Sequence, residues 1–366
     1  MAEPLKNLIH PGLVEAMGNH IGRHASTFDR KRFTALAAKD MESLELMQRA
    51  LQIADALEAT LPEDFPEAAA LLSASLPHTD RPGLAGWMLL PVNQYIARRG
   101  LDDFEISLAL LKELTRHFTA EFGIRTFIHA DQDRALAEIA GWVRDANHHV
   151  RRLASEGTRP RLPWAMRLPK LIADPQPILP ILETLLDDPE DYVRRSVANS
   201  LNDIAKDHPD LVAEFVARHI VDASPERTRL LRHASRTLLK KGHAGALGNF
   251  GFGALEAIAA DLAISTPKVV FGDGVDFTLS LKNTATAAQQ AMIDYAVHHR
   301  KANGTLAPKV FKWKSLMLRP DETVNLSRRH ALRPITTRQY YPGTHRIDIL
   351  VNGVVVASGD FELSMD

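Results

Sequence analysis

The spacing of apolar residues changes partway along this chain, and that change constrains the fold more than any other feature. Up to about residue 250, apolar residues recur three and four apart, as in LELMQRALQIADALEATL (44–61) and ISLALLKELTRHF (106–118). That period belongs to helices with one buried face. Proline with Asp or Asn separates the runs, as in DDPED and KDHPD. After GHAGALGNFGFG (242–253), five glycines in twelve residues that read as a linker or a helix stop, the period becomes two. VDFTLSLKN and HRIDILVNGVVVASGDFEL alternate as half-buried strands do, and Asn352-Gly353 marks a tight hairpin. The chain therefore reads as mainly α with a β C-terminal domain, divided into 1–250 and 255–366. Turn signals at short intervals through the second part fit a small immunoglobulin-like β-sandwich.

The helical part repeats itself. VRRSVANSLNDIAKDHPDLV begins at Val193, VRRLASEG at Val150, LLRHASRTLLKKG at Leu230 and TRHFTAEFG at Thr115. Those offsets scatter around the period of HEAT-like helical pairs, which predicts an α-α superhelix. Stacking would align Arg152, Arg195 and Arg232, with His117 in the upstream unit. The same alignment sets Glu121 beside Glu156, each one helical turn after its Arg or His.

Charge is unevenly spread although the formal net charge is −1. Between Asp40 and Glu67 stand eight acids and one base, whereas Arg144–Lys170 holds seven bases and two acids. Arg227–Lys241 holds six bases and no acid, and Arg300–Arg346 holds eleven bases and two acids. Three basic segments of this kind can form a footprint for a polyanion.

The run HVRRLASEGTRPRLPW (149–164) concentrates the chemistry: four arginines, one carboxylate and a tryptophan. Arg152 and Glu156 can be a solvated pair four residues apart. They can equally be an anion-holding arginine beside a working carboxylate. The arginine ladder has the same two readings, since HEAT arginines commonly pair with an aspartate of their own or the next repeat. Trp164 can be core or site, while Trp87 and Trp142 read as core and Ser155 as helix surface.

Several chemistries are excluded or disfavoured. The chain has no cysteine, which removes disulfides, thiolate metal sites and a cysteine nucleophile. His148-His149 and His298-His299 are adjacent pairs expected to point apart and so to chelate poorly. No His-Glu dipeptide occurs, against iron hydroxylases of HEAT type, and no GxxxxGK[ST] or GxSxG is present. The N-terminal stretch lacks a signal-peptide core and no run is long enough to span a membrane, so a cytoplasmic protein is expected.

A helical-repeat half carrying AEFGIR and RLASEGTRPRLPW, followed by a HEAT unit and an immunoglobulin-like tail, resembles the AlkC branch of the AlkC/AlkD-type alkylpurine DNA glycosylases. The resemblance covers essentially the whole chain. It implies a bacterial, monomeric DNA-repair enzyme, nucleoid-associated when bound. Such an enzyme hydrolyses the N-glycosidic bond of cationic N3-alkylated bases, 3-methyladenine and 3-methylcytosine, in double-stranded DNA. It does so without flipping the base and with no metal, cofactor or nucleotide. Carried over to this sequence, it implies catalytic roles for Glu121, Glu156, Trp164 and Asp203. It makes Arg152 and Arg159 phosphate ligands, with Arg161, Arg194, Arg195 and Arg232 as further DNA contacts. Asp203 can also be a structural acid of its repeat. On the β-domain, basic excess suggests a clamp built from Lys309, Lys312, Lys314, Arg328, Arg329 and Arg338. The alternative is a non-enzymatic HEAT-repeat scaffold for DNA or a protein.

Overall fold

The computed structural model describes residues 4–335 and 338–365. Among them are sixteen α-helices, all before residue 250, and eight strands after it. The outermost residues of the two expected spans, 1–3 and 366, lie outside the described part.

The chain forms two compact units, and packing divides it differently from the period of its apolar residues. One unit is Met1–Asp207 with Ser224–Ala234, and the other is His208–Ala223 with Ser235–Asp366. The helix Pro209–Ile220 joins the second unit because it packs on the short helix Ala244–Gly248. Asn249 donates from Nδ2 to the Ala213 carbonyl at 2.7 Å, and His243 Nε2 meets Asp210 Oδ1 at 3.0 Å. The glycine-rich 242–253 segment is therefore helix and packed turn, not a free linker. Gly242, at φ +72°, lies against Gly353, where a Cβ would come within 2.8 Å of backbone.

In the first unit, three consecutive helices of the repeat pack side by side: His148–Gly157, Asp191–Ile204 and Pro225–Ala234. Val193, Val197, Leu201 and Ile204, spaced at helical intervals, are all buried. Asn147 caps the first of these helices, its Oδ1 accepting from the His149 amide at 2.8 Å. The ordinary HEAT pairing is present, but at arginines one and five residues before the expected ladder positions 152 and 232. Arg151 makes two bonds to Asp188, from Nε at 2.6 Å and Nη2 at 3.0 Å, and Arg227 pairs with Asp187. Thr115–Glu121, which the repeat alignment treats as helix, is turn: the helix Phe104–Leu114 has already ended. His117 is thus off the ladder, and its carbonyl accepts from the Gly86 amide at 3.3 Å.

In the second unit the strands are β1 (Ile258–Ile264), β2 (Lys268–Val270), β3 (Gly274–Asn283), β4 (Gln289–Arg300), β5 (Leu306–Leu318), β6 (Thr323–Ala331), β7 (Gly343–Val351) and β8 (Val354–Ser364). They form a three-stranded sheet, β1-β3-β6, and a five-stranded sheet, β2-β8-β7-β4-β5, antiparallel except for β2 with β8. The alternation seen in the sequence is what builds the core between them: Val275, Phe277, Leu279 and Leu281 from β3 face Ile347, Ile349, Val351 and Phe361. Asn352 and Gly353 both take positive φ and close the β7–β8 hairpin. No helix among the described residues is long and apolar enough to cross a membrane.

Candidate active site

A cleft of about 320 Å³ opens in the helical unit. One wall is apolar and aromatic, made by Met47, Trp87, Phe118, Phe122, Leu162, Pro163 and Trp164. Glu121, Glu156 and Arg159 face it. The two glutamates reach it from unlike places. Glu156 sits in the last turn of His148–Gly157, and Glu121 in the turn before the helix Ile124–Ala130. The pairing expected from repeat alignment is thus met in space but not by equivalent helical positions.

Arg152 ties the two acids together. Its Nη1 donates to Glu121 Oε2 at 2.6 Å and to Thr119 Oγ1 at 3.1 Å, while Nη2 lies 3.5 Å from Glu156 Oε1. Thr119 in turn donates to Glu121 Oε2 at 2.5 Å. The guanidinium lies 4.7 Å from the centre of the Tyr192 ring. Burial works against the Arg152 charge, but the Glu121 and Glu156 carboxylates outweigh it and raise its pKa. Burial in turn raises the pKa of the Tyr192 phenol.

Arg159 spans the other side of Glu156. Its Nη1 donates to Glu156 Oε1 at 2.6 Å and its Nε to Asp203 Oδ2 at 2.8 Å. Lys206 holds the remaining Asp203 oxygen at 2.8 Å. Ser196 donates to Glu156 Oε2 at 2.7 Å and stands 2.6 Å from the Ser155 hydroxyl. Both oxygens of Glu156 are therefore fixed, whereas Glu121 Oε1 takes no hydrogen bond from the described residues. Ser155 is fully buried, not helix surface, because its face of the helix is covered by Asp191–Ile204.

Residues 99–238 match the family described as DNA alkylation repair enzyme, and residues 258–365 match "Uncharacterised protein YhaZ, C-terminal Ig-like domain". The Pseudomonas fluorescens alkylpurine DNA glycosylase AlkC, solved bound to DNA containing an abasic site analog, is 37% identical with a TM-score of 0.90; the match covers 99% of this chain and 100% of that one. The chain belongs to the AlkC family of alkylpurine DNA glycosylases. "Uncharacterized protein YhaZ" of Bacillus subtilis (strain 168) is a relative of equal identity, 37% over 361 residues, covering 98% of this chain and 99% of that protein.

Within this AlkC-family chain, the residues expected to contact DNA fall into two groups. Arg159 is buried and Arg152 largely so, and their guanidinium groups are taken by Glu121, Glu156 and Asp203. Arg161 makes a two-pronged pair with Asp207, and Arg194 donates to the Asp188 and Pro189 carbonyls. Arg232 is half-buried on Pro225–Ala234. Arg195, by contrast, has 66% of its side chain exposed, beside Asp191 at 3.1 Å. On the sandwich, Lys309, Lys312, Lys314 and Arg328 are exposed, Arg338 lies over the Tyr340 ring, and Arg329 is held by Asp273 and Asp276.

Other expectations change as well. Trp142 is core, its Nε1 donating to Glu138 at 3.1 Å, but Trp87 is not: it lines the cleft, its ring 5.2 Å from Phe118. His148 and His149 do not point apart. Both lie in the first turn of their helix, ring centres 4.1 Å apart, and both meet the edge or face of Tyr192. Tyr192, Ser196, Phe118, Phe122 and Arg125 are members of the site that sequence reasoning passed over. Arg125 carried a signal, since it stands four residues after Glu121 in AEFGIR. Tyr192 carried a weaker one, occupying in DYVRRS the place of His149 in HHVRRL.

Proposed function

We propose that this chain is a monofunctional DNA glycosylase. Its substrates are cationic N3-alkylated bases, 3-methyladenine and 3-methylcytosine, in double-stranded DNA, and its products are the free base and an abasic site. A cationic base is already a good leaving group, so no general acid has to protonate it. Positive charge develops on the deoxyribose as the bond breaks, and fixed carboxylates near that sugar stabilise it. Glu156, with both oxygens held, supplies fixed negative charge. Glu121, with Oε1 open toward the cleft, is placed to accept from water that attacks the sugar carbon. Trp164 offers its ring face to the electron-poor sugar. Asp203 does not touch the cleft in this scheme; it anchors Arg159 and through it Glu156.

The observation that carries this reading is the bridging of two carboxylates by one largely buried arginine at the edge of an aromatic cleft. The cleft is open-sided, which favours a base approached within the duplex over one turned fully into a closed pocket. Exposed cations such as Arg195 hold the phosphates, so affinity falls as salt rises. One chain serves one duplex site, which makes the working form a monomer, acting in the cytoplasm wherever the nucleoid is.

The test is incubation with methylated duplex DNA and chromatography of freed bases. The native protein releases 3-methyladenine. Glu156→Gln binds the same DNA and releases base about 10²–10³-fold more slowly, the usual loss for one fixed electrostatic partner. A non-enzymatic scaffold would bind and release nothing in either form.

A further inference from the structure

Trp164 is held in an unusual way. It is 80% exposed, yet it takes φ +64°, a left-handed backbone that a bulky side chain rarely adopts. Prolines 160 and 163 precede it, and the Leu168 amide donates back to the Pro160 carbonyl at 3.2 Å. The loop is fastened from beneath by Arg125, which is fully buried. Arg125 Nε donates to the Met166 carbonyl at 2.6 Å, and Nη1 donates to the Gly157 and Arg159 carbonyls at 3.0 and 2.8 Å. One guanidinium therefore binds the loop both before and after Trp164. Gly157 allows this approach, for a Cβ there would come within 2.7 Å of Ile124. Burial and the neighbouring Arg159 lower the Arg125 pKa to about 10, so the group stays charged near neutral pH.

We propose that Arg125 is a positioning residue for base excision: it fixes the strained 157–166 loop so that the Trp164 indole stands rigidly at the mouth of the carboxylate cleft. The kinetic part rests on the glycosylase reading above. Energy held in the loop is offset by three charge-assisted bonds to carbonyls, and the result is an aromatic surface that needs no reordering when DNA arrives. Arg125 does not touch substrate. It acts through Trp164.

A double-mutant cycle decides this. Arg125→Lys keeps the cation but cannot span both sides of the loop, and it is expected to lower kcat about tenfold or more, as small misplacements do, with KM changing less. In a Trp164→Ala background the same change should cost less than about threefold. A loss of equal size in both backgrounds, or no loss in the native background, overturns the proposal. Fluorescence anisotropy of Trp164, taken as the difference between each protein and its Trp164→Phe counterpart, gives a second readout without DNA. Anisotropy should fall in Arg125→Lys and recover toward native where Arg125 is restored. Unchanged anisotropy overturns the proposal. If the native protein frees no base, the glycosylase reading fails while the anisotropy still decides whether Arg125 holds Trp164. Should Arg125→Lys not fold, Pro163→Gly loosens the same loop and must show the same dependence on Trp164.

Discussion

Both units of this chain bury ionisable side chains, but they satisfy them in opposite ways. In the helical unit, Glu156, Asp203 and Arg159 are charged and every one has a charged partner within 2.8 Å. In the sandwich, His299, His330 and His345 are buried among Tyr295, Tyr340 and Phe361 as neutral rings. His330 Nδ1 meets the Tyr295 hydroxyl at 3.1 Å, while both ring nitrogens of His299 lack a protein partner among the described residues. A core that needs only to be stable tolerates neutral polar rings. Groups that keep a full charge, like those of the helical unit, can be held out of water only when they are paired or hydrogen-bonded.

Removing one member of the paired cluster should have the largest effect. Arg159→Met leaves Glu156 and Asp203 buried with their shared cation gone, and is expected to cost about 3–5 kcal/mol of stability. Urea unfolding of the full chain measures it. A cost near zero would mean that the cluster is wetter or looser than its distances state, and the contrast between the units would vanish.

The sandwich should respond to pH instead. Burial, reinforced by Arg338, lowers the His330 pKa to about 4 and that of His299 to about 3. A depressed histidine contributes stability that is complete above its unfolded value near 6.5 and is lost as pH falls through the folded value. For His330 the loss comes to about 3 kcal/mol by pH 4. Asp294 works the other way: burial raises its pKa, so protonation favours its folded form. Hydrogen exchange of β4 amides between pH 7 and pH 4.5 reads the net effect. His330→Phe should flatten the profile, and Asp294→Asn should steepen it.

How much of this was legible in the sequence follows the same division. The sandwich was readable because its core is local alternation: β3 shows its buried face in VDFTLSLKN, and Asn352-Gly353 names its own turn. The helical repeat was readable at Val150 and Val193, where two copies share VRR. It failed at Thr115–Glu121, because what ends that helix is tertiary: the His117 carbonyl takes the Gly86 amide and Phe118 packs on Trp87. Trp87 therefore looked like core and proved to be the cleft wall. The family resemblance made Arg159 a phosphate ligand, and nothing local in the sequence shows the partners that occupy its guanidinium. One of its partners, Asp203, lies 44 residues away in the helix Asp191–Ile204.

The smallest effects belong to the cations that remain in water, and they extend the comparison from the interiors of the units to their surfaces. Arg195 on the helical unit and Lys309 with Lys312 on the sandwich are exposed, so truncating any of them should change stability by less than about 0.5 kcal/mol. Where they contact phosphates, their contribution is counterion release. A cation that neutralises one phosphate adds about 0.9 to the steepness of log affinity against log salt. Arg195→Ala is expected to flatten that slope by about the same amount, with excision at saturating DNA unchanged. The double change Lys309→Ala with Lys312→Ala should flatten it by up to about twice as much if the sandwich closes on DNA as a clamp. A slope that responds to Arg195 and ignores both lysines would confine DNA binding to the helical unit. The basic excess of 300–346 would then serve only to keep the sandwich surface solvated.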